Sequence, residues 1–413
     1  MRSRLRGLLC ALALCCGAGA PLARAQEKVS LTLLSSATAR PALEAAVAKF
    51  HAENTDVSIA MSVAPDASLN VLIPQQFAAG NGADVIVDWP GIYSTQAEGV
   101  LARNGDLLDL SDEAWAKSLS GTLRTLSSFD GKVYFAPLVA LGFSTTYNQT
   151  ALDRAGLTIP RTWDDVLAFC RQATAKKLIP YALGAQTGSQ NQMPAMAMGA
   201  TVIDRDFAWT EQRTAGKTSF ATSGWLMVFE KLDAMRSAGC FMRPLGTSED
   251  VAHSQLASGR ALGFFGPSSA TPIMQAMTHD TLTFVPFPAT DDAAATLLCV
   301  GIGSGLSVNA KTKHPEAARK FLAFLMAPDN VNAYATATSQ VPAIPNDAYK
   351  PSDQATRTIL DAMKQGKTAP LTNEMWPNPR IVPAQRTATQ QMLGGGATPA
   401  DVVKAMDEAW NAP

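Results

Sequence analysis

The sequence predicts an α/β fold, with strands layered between helices, and three observations lead there. Short β-rich runs alternate with apolar residues at helical spacing over the first hundred residues. Apolar side chains make up 47% of the 413 residues and charged ones 17%, enough apolar surface for two or three domain-sized cores and too much for a disordered chain. No internal repeat interrupts the alternation, which argues against a solenoid.

The amino terminus stands apart. Arg2, Arg4 and Arg6 precede an uncharged apolar run over 8–20, followed by Pro21 and the small-residue exit Ala23-Arg24-Ala25. This is the pattern of a secretory signal peptide, and the run is shorter than the roughly 20 apolar residues a membrane span needs. Cleavage is expected after Ala25, leaving Gln26 first and the protein periplasmic or extracellular. A lipoprotein is the alternative, since Cys10, Cys15 and Cys16 lie in the run, but Leu14 stands where lipid-attachment sites usually carry a small residue. Without residues 1–25 the chain has 30 basic and 35 acidic residues. That mildly acidic balance excludes the cationic face that nucleic acid or a polybasic membrane contact requires.

The mature chain begins with an extended run at 29–34. Leu43, Ala46, Val47 and Phe50 then form one apolar stripe on a helix over 41–54. An extended segment at 57–63 precedes a helix marked by Leu69, Leu72, Ile73 and Phe77, which the Gly80-Asn81-Gly82 turn ends. Residues 83–87 read as a short buried strand. Near residue 130 a turn feeds a strand, and after Pro137 a long extended run covers 138–147. Thr162 is placed to cap the next helix, with Asp165 near its positive end and Trp163, Val166, Leu167 and Cys170 as its stripe. Residues 180–260 are mostly helical, and 261–265, 282–285 and 300–308 are strands. Pro315 starts a helix that buries Ala318, Phe321, Leu322 and Leu325. Residues 354–413 are helical, the last helix opening at Thr398-Pro399-Ala400-Asp401.

Little in the chain points to catalysis. His51, His253, His279 and His314 are dispersed, so a surface or capping place is expected for each and no metal site is assigned. Ser304 in Gly301-Ile302-Gly303-Ser304-Gly305 is not at the centre of a nucleophile elbow, and no phosphate-cradling loop is present. No catalytic residue and no cofactor are therefore expected. Cys170, Cys240 and Cys299 are distant and odd in number; buried thiols are the favoured reading, with at most one pair.

Several motifs follow one another in a telling order. They are Ala83-Asp84-Val85-Ile86-Val87; Gly131-Lys132-Val133-Tyr134 with Pro137 and Tyr147-Asn148; Gly156-Leu157 with Pro160-Arg161-Thr162-Trp163-Asp164-Asp165; Ser258-Gly259-Arg260-Ala261; Gly266-Pro267; and the helix from His314 to Leu325. In this order, over almost all of the mature chain, they resemble the bacterial extracellular solute-binding proteins of family 1, receptors of ABC importers. The resemblance implies a two-lobed periplasmic binding protein-like (type II) fold, each lobe a β-sheet flanked by helices. The first lobe is expected at 26–138 with 289–329 and the second at 139–288 with 330–413, with hinge crossings at 138–141 and 285–288.

The resemblance also implies a solute site in the cleft, lined by loops at the carboxyl ends of strands. Ser36 and Thr38 follow the first strand as candidate contacts, Thr38 alternatively capping the next helix. Asp88, Trp89 and Tyr93 follow the third strand, the acid to accept sugar hydroxyls and the ring to stack; core packing is the other reading of Trp89. Gln186, Gln190 and Asn191 occupy a polar loop that either contacts solute or is simply solvated. Ser268 and Ser304 are further candidates. Trp163 and Asn148 are read as core and cap. Ser268 and Ser269 stand where many sugar-binding relatives carry an aromatic residue after Gly-Pro, so Phe265 or Trp376 is expected to supply the missing platform. Arg40 and Arg380 keep an anionic solute open. The expected partners are a small-molecule solute, most simply a sugar, and the membrane permease of an ABC importer, with the receptor a monomer. An exported carbohydrate-active enzyme, which needs two carboxylates about 5–10 Å apart, and a solute sensor are the alternatives.

Overall fold

The computed structural model describes residues 28–186, 188–203, 207–351 and 353–412. The signal-peptide reading of residues 1–25 and the expected new terminus Gln26 fall outside them. The strands, in chain order, are β1 (Val29–Ser36), β2 (Val57–Ala64), β3 (Val85–Asp88), β4 (Ser128–Phe129), β5 (Lys132–Val133), β6 (Phe135–Ala136), β7 (Val139–Asn148), β8 (Ile179–Ala182), β9 (Ala261–Pro267), β10 (Leu282–Val285), β11 (Leu298–Ile302), β12 (Gly305–Val308), β13 (Val341–Pro342) and β14 (Thr368–Pro370).

Two sheets organise the two-lobed α/β fold. The first runs β2-β1-β3-β12-β6, with β1 parallel to β2 and β3, and β12 antiparallel to β3 and β6. The second runs β14-β11-β7-β9-β8, with β10 and β13 also pairing with β7. The β4–β5 hairpin stands beside them. In the first lobe the helix Arg40–Glu53 has Pro41 in its first turn and buries Leu43, Val47 and Phe50, the stripe its spacing dictates. Phe50 meets Phe321 edge-on at 5.1 Å, which brings the late helix Pro315–Met326 back onto the first sheet.

The long strand β7 links the two halves. Leu138, Val139 and Ala140 lie in the apolar cluster of Leu31, Val85 and Leu306, whereas Tyr147 lies in that of Trp225 and Trp376. Side chains at the two ends of one strand thus belong to different cores. Asn148 ends the strand and caps the following helix, its side chain accepting from the Ala151 N–H. Thr162 and Asp165 form a reciprocal capping box, as do Thr398 and Asp401. Trp163 is core.

Five expectations need correction. The run 300–308 is not one strand: β11 pairs with β7 and β14, β12 pairs with β3 and β6, and the chain changes sheet at Gly303 and Ser304. Residues 285–288, expected to cross, follow a strand of the second sheet and lead to another, so the apolar run carried no trace of the change of partner. Residues 354–413 are not all helix, because β14 and the turn Thr372–Met375 interrupt them. Cys170 and Cys240 are joined in a disulfide, and among the described residues only Cys299 is a buried free thiol. Finally, His253 is buried against Phe264, where its helix packs on β9, rather than exposed or capping.

Candidate functional site

The site is built where loops of the first lobe meet the second. Strand β3 delivers Asp88 to its carboxyl end, opposite Gly305 of β12. The Asp88 side chain is fully buried; Ser307 Oγ donates to one oxygen at 2.8 Å and the Trp89 N–H to the other at 2.7 Å. Burial pushes its carboxyl up to about 8 against those two bonds, so it carries a proton at neutral pH. Glu98, one helix start away, is buried with neither oxygen bonded, and burial together with Asp88 holds its carboxyl well above the usual range. Asp88 is therefore an internal brace rather than an exposed acceptor. Trp89 is half-buried and packs against both apolar clusters of its lobe, which favours the core reading for much of its ring.

The loop after Trp89 reaches across. Gly91 adopts φ +71° and its Cα lies so close to the Glu374 carbonyl that any Cβ would overlap it. The Ile92 N–H donates to that carbonyl at 2.9 Å. Tyr93 then packs on the apolar cluster of the second lobe, between Glu374 and Arg386, and burial drives its phenol upward. Glu374 is itself buried, with its carboxyl accepting from the Ile302 N–H beside the change of sheet and its Oε2 unbonded. Burial holds it well above the ordinary carboxylate range. Beside this contact opens a cavity of about 760 Å³, lined by Ile92, Gly121 and Thr125 from one lobe and Phe207, Glu211 and Met375 from the other.

From the second lobe come Gln190, Asn191 and Gln192. They lie in the first turns of the helix Gly188–Val202 and are buried, not in a solvated loop as expected; Gln186 alone is in an exposed turn. Arg386, on the helix Ile381–Gly394, is half-buried beside Gly188; its Nε donates to Gln192 Oε1 at 3.1 Å and its carbonyl accepts from Asn191. Gln190 Oε1, Asn191 Oδ1 and Gln340 Oε1, the last against Gly303, are buried without a hydrogen-bond partner. Such atoms cost free energy unless something bonds them.

The remaining candidates separate from this wall. Ser36 is buried and accepts from the Ala39 N–H, which fixes the turn before the first helix; Thr38 is exposed, its N–H donating to Asp66. Phe265 lies between Tyr181 and Phe287, centroids 5.0 and 4.9 Å away, and Trp376 is enclosed by Phe220 and Trp225 at 5.2 and 5.4 Å. Neither offers a ring face to a solute, because both side chains are fully buried. Ser268 exchanges two hydrogen bonds with the Gly142 backbone, and Ser304 bonds the Tyr334 hydroxyl. Arg380 is exposed at the start of its helix, and Arg40 pairs with Glu44. Sequence reasoning missed Arg386, Gln192, Glu374 and Gln340: each stands alone in an ordinary context, and only folding brings them near Tyr93 or Gly303.

The family model for bacterial extracellular solute-binding proteins matches residues 35–332. The multiple sugar-binding protein of Streptococcus mutans is 25% identical over 77% of this chain and 76% of its own length. The melibiose/raffinose/stachyose-binding protein MelE of Bacillus subtilis is 22% identical over 76% and 74%. Among solved structures, a chitin oligosaccharide binding protein superposes with TM-score 0.78 at 22% identity, covering 93% of this chain and 98% of the other. A raffinose complex of RafE gives 0.75 at 18%, covering 93% and 99%.

Proposed function

We infer that this chain, which belongs to the bacterial extracellular solute-binding protein family, is an exported receptor that captures a sugar-like solute between its lobes and delivers it to an ABC-type permease. One observation carries the reading: Gln190, Asn191, Gln340 and Glu374 hold buried polar atoms without partners around the contact between the lobes. A polyhydroxylated guest both donates and accepts, so it satisfies such atoms where an apolar guest would not. The names of the two curated relatives, both sugar binders, point the same way.

Capture then follows from closure. The crossings near Leu138 and at Gly303-Ser304 are the hinge, and solute bonded to both walls favours the closed arrangement by the contacts that only closure makes. A micromolar solute corresponds to roughly −8 kcal/mol. Hydrogen bonds worth about 0.5–1.5 kcal/mol each, together with the rings of Trp89 and Tyr93, are sufficient. The receptor acts as a monomer without a cofactor, and its role is binding rather than turnover.

A thermal-shift panel of mono-, di- and trisaccharides, polyols and sugar acids on the mature chain tests this. A true solute at 100 times its Kd adds about 2.7 kcal/mol of stability. No stabilisation by any carbohydrate, or conversion of one into product, overturns the reading.

A further inference from the structure

The charge in the cleft is unequally matched. Three acids buried at the lobe contact are engaged elsewhere or neutral: Asp88 is bonded to Ser307 and to the Trp89 N–H, Glu374 accepts from the Ile302 N–H, and burial favours the protonated form of both and of Glu98, while Glu211 stands exposed on the wall of the neighbouring cavity. Arg386 is different. It is half-buried, no carboxylate among the described residues forms an ion pair with it, and its only side-chain bond is from Nε to Gln192. Among the described residues Tyr93, from the first-lobe loop, is its electrostatic neighbour, and burial disfavours its charge. A guanidinium does not deprotonate near neutral pH, so an uncompensated cation is held in a partly desolvated wall.

We propose that Arg386 is the anchor for an anionic group of the solute, and that the solute is a sugar acid bearing a carboxylate. This rests on the receptor reading above and narrows it. With Nε fixed by Gln192, the Nη1 and Nη2 end of the fork remains, and that end matches two oxygens of one carboxylate. Tyr93 covers the opposite side, and the free acceptors of Gln190 and Asn191 flank the helix start for the sugar hydroxyls. A neutral sugar in the same place leaves the guanidinium without a counter-charge.

The test is calorimetry on the mature protein with hexuronates and their oligomers, the matched neutral hexoses, and hexose phosphates. The uronate is expected to bind about 10- to 100-fold tighter than its neutral counterpart. Arg386→Gln is expected to abolish that preference, lowering uronate affinity by a larger factor than neutral-sugar affinity, with the melting temperature recording that the variant is folded. Arg386→Lys is expected to keep part of the preference. Neutral sugars binding as tightly as uronates, a preference that survives Arg386→Gln, or phosphates bound and uronates refused would each overturn the anchor while leaving the receptor standing. Failure of every carbohydrate overturns both. The wild-type comparison decides the matter even if a variant does not fold.

Discussion

The two lobes solve the problem of a stable wall in different ways. The first is aliphatic and aligned: Leu31, Leu33, Val85 and Val87 project from parallel strands onto Leu43, Val47, Phe321 and Leu322, and this cluster continues past the crossing to Phe284, Leu298 and Ile359. The second is aromatic and cross-linked. It holds four of the five buried tryptophans, Trp163, Trp209, Trp225 and Trp376, together with the Cys170–Cys240 disulfide. The difference explains why aromatic residues expected in the cleft are absent from it. Where rings build the core, their faces are spent on one another, which leaves the polar groups at the helix starts for the proposed recognition. The first lobe instead leaves Trp89 and Tyr93 half-buried on a loop, and spends buried acids on fixing that loop.

Each side of this contrast can be broken. The largest effect is expected from Asp88, whose folded carboxyl lies near 8 against an ordinary 3.8. Between those values the folded state keeps a proton that the unfolded chain has released, so this group's contribution falls as pH rises, by on the order of 5 kcal/mol across the window. Asp88→Asn is expected to match the wild type near pH 4 and to become the more stable toward pH 8 in urea titrations; parallel curves would show that the acid is not a neutral brace. Trp376→Ala is expected to cost about 3–5 kcal/mol of second-lobe stability. If it lowers solute affinity while stability is retained, the ring belongs to the cleft after all.

Cys240→Ser opens a bridge between residues 70 apart and is expected to cost about 2–4 kcal/mol, read from denaturation midpoints with the single-serine variant against the oxidised wild type. An unchanged midpoint would remove the cross-link from the contrast. Gly91→Ala addresses the junction itself. Its Cβ meets the Glu374 carbonyl at a positive φ, so a cost of about 1–3 kcal/mol is expected to appear as a loss of tenfold or more in solute affinity and a more open scattering profile. Melting should change little, and unaltered affinity would show that the Ile92–Glu374 bond does not contribute to closure.

Much of this was legible in the chain, for a reason that also sets the limit. Periods of two and 3.6 are local, so Val29–Ser36, the Leu43-Val47-Phe50 stripe and the Thr162–Asp165 cap could be read from neighbouring residues, and the ordered motifs led to the family. Of the proposed wall, the sequence singled out Trp89, Tyr93, Gln190 and Asn191, the last two as loop residues although they lie in a helix, where a run of polar side chains gives no sign of the burial that packing imposes.

The sequence by itself determined the alternation of strands and helices, the export signature as an expectation, and the absence of a recognisable catalytic motif. Tertiary structure decided which strand of 298–308 joined which sheet, that Cys170 meets Cys240, that Phe265 and Trp376 turn inward, and that Arg386 comes near Tyr93. These are pairings between residues tens to hundreds of positions apart. No local pattern records them, because the free energy that selects them arises only when both partners leave water together.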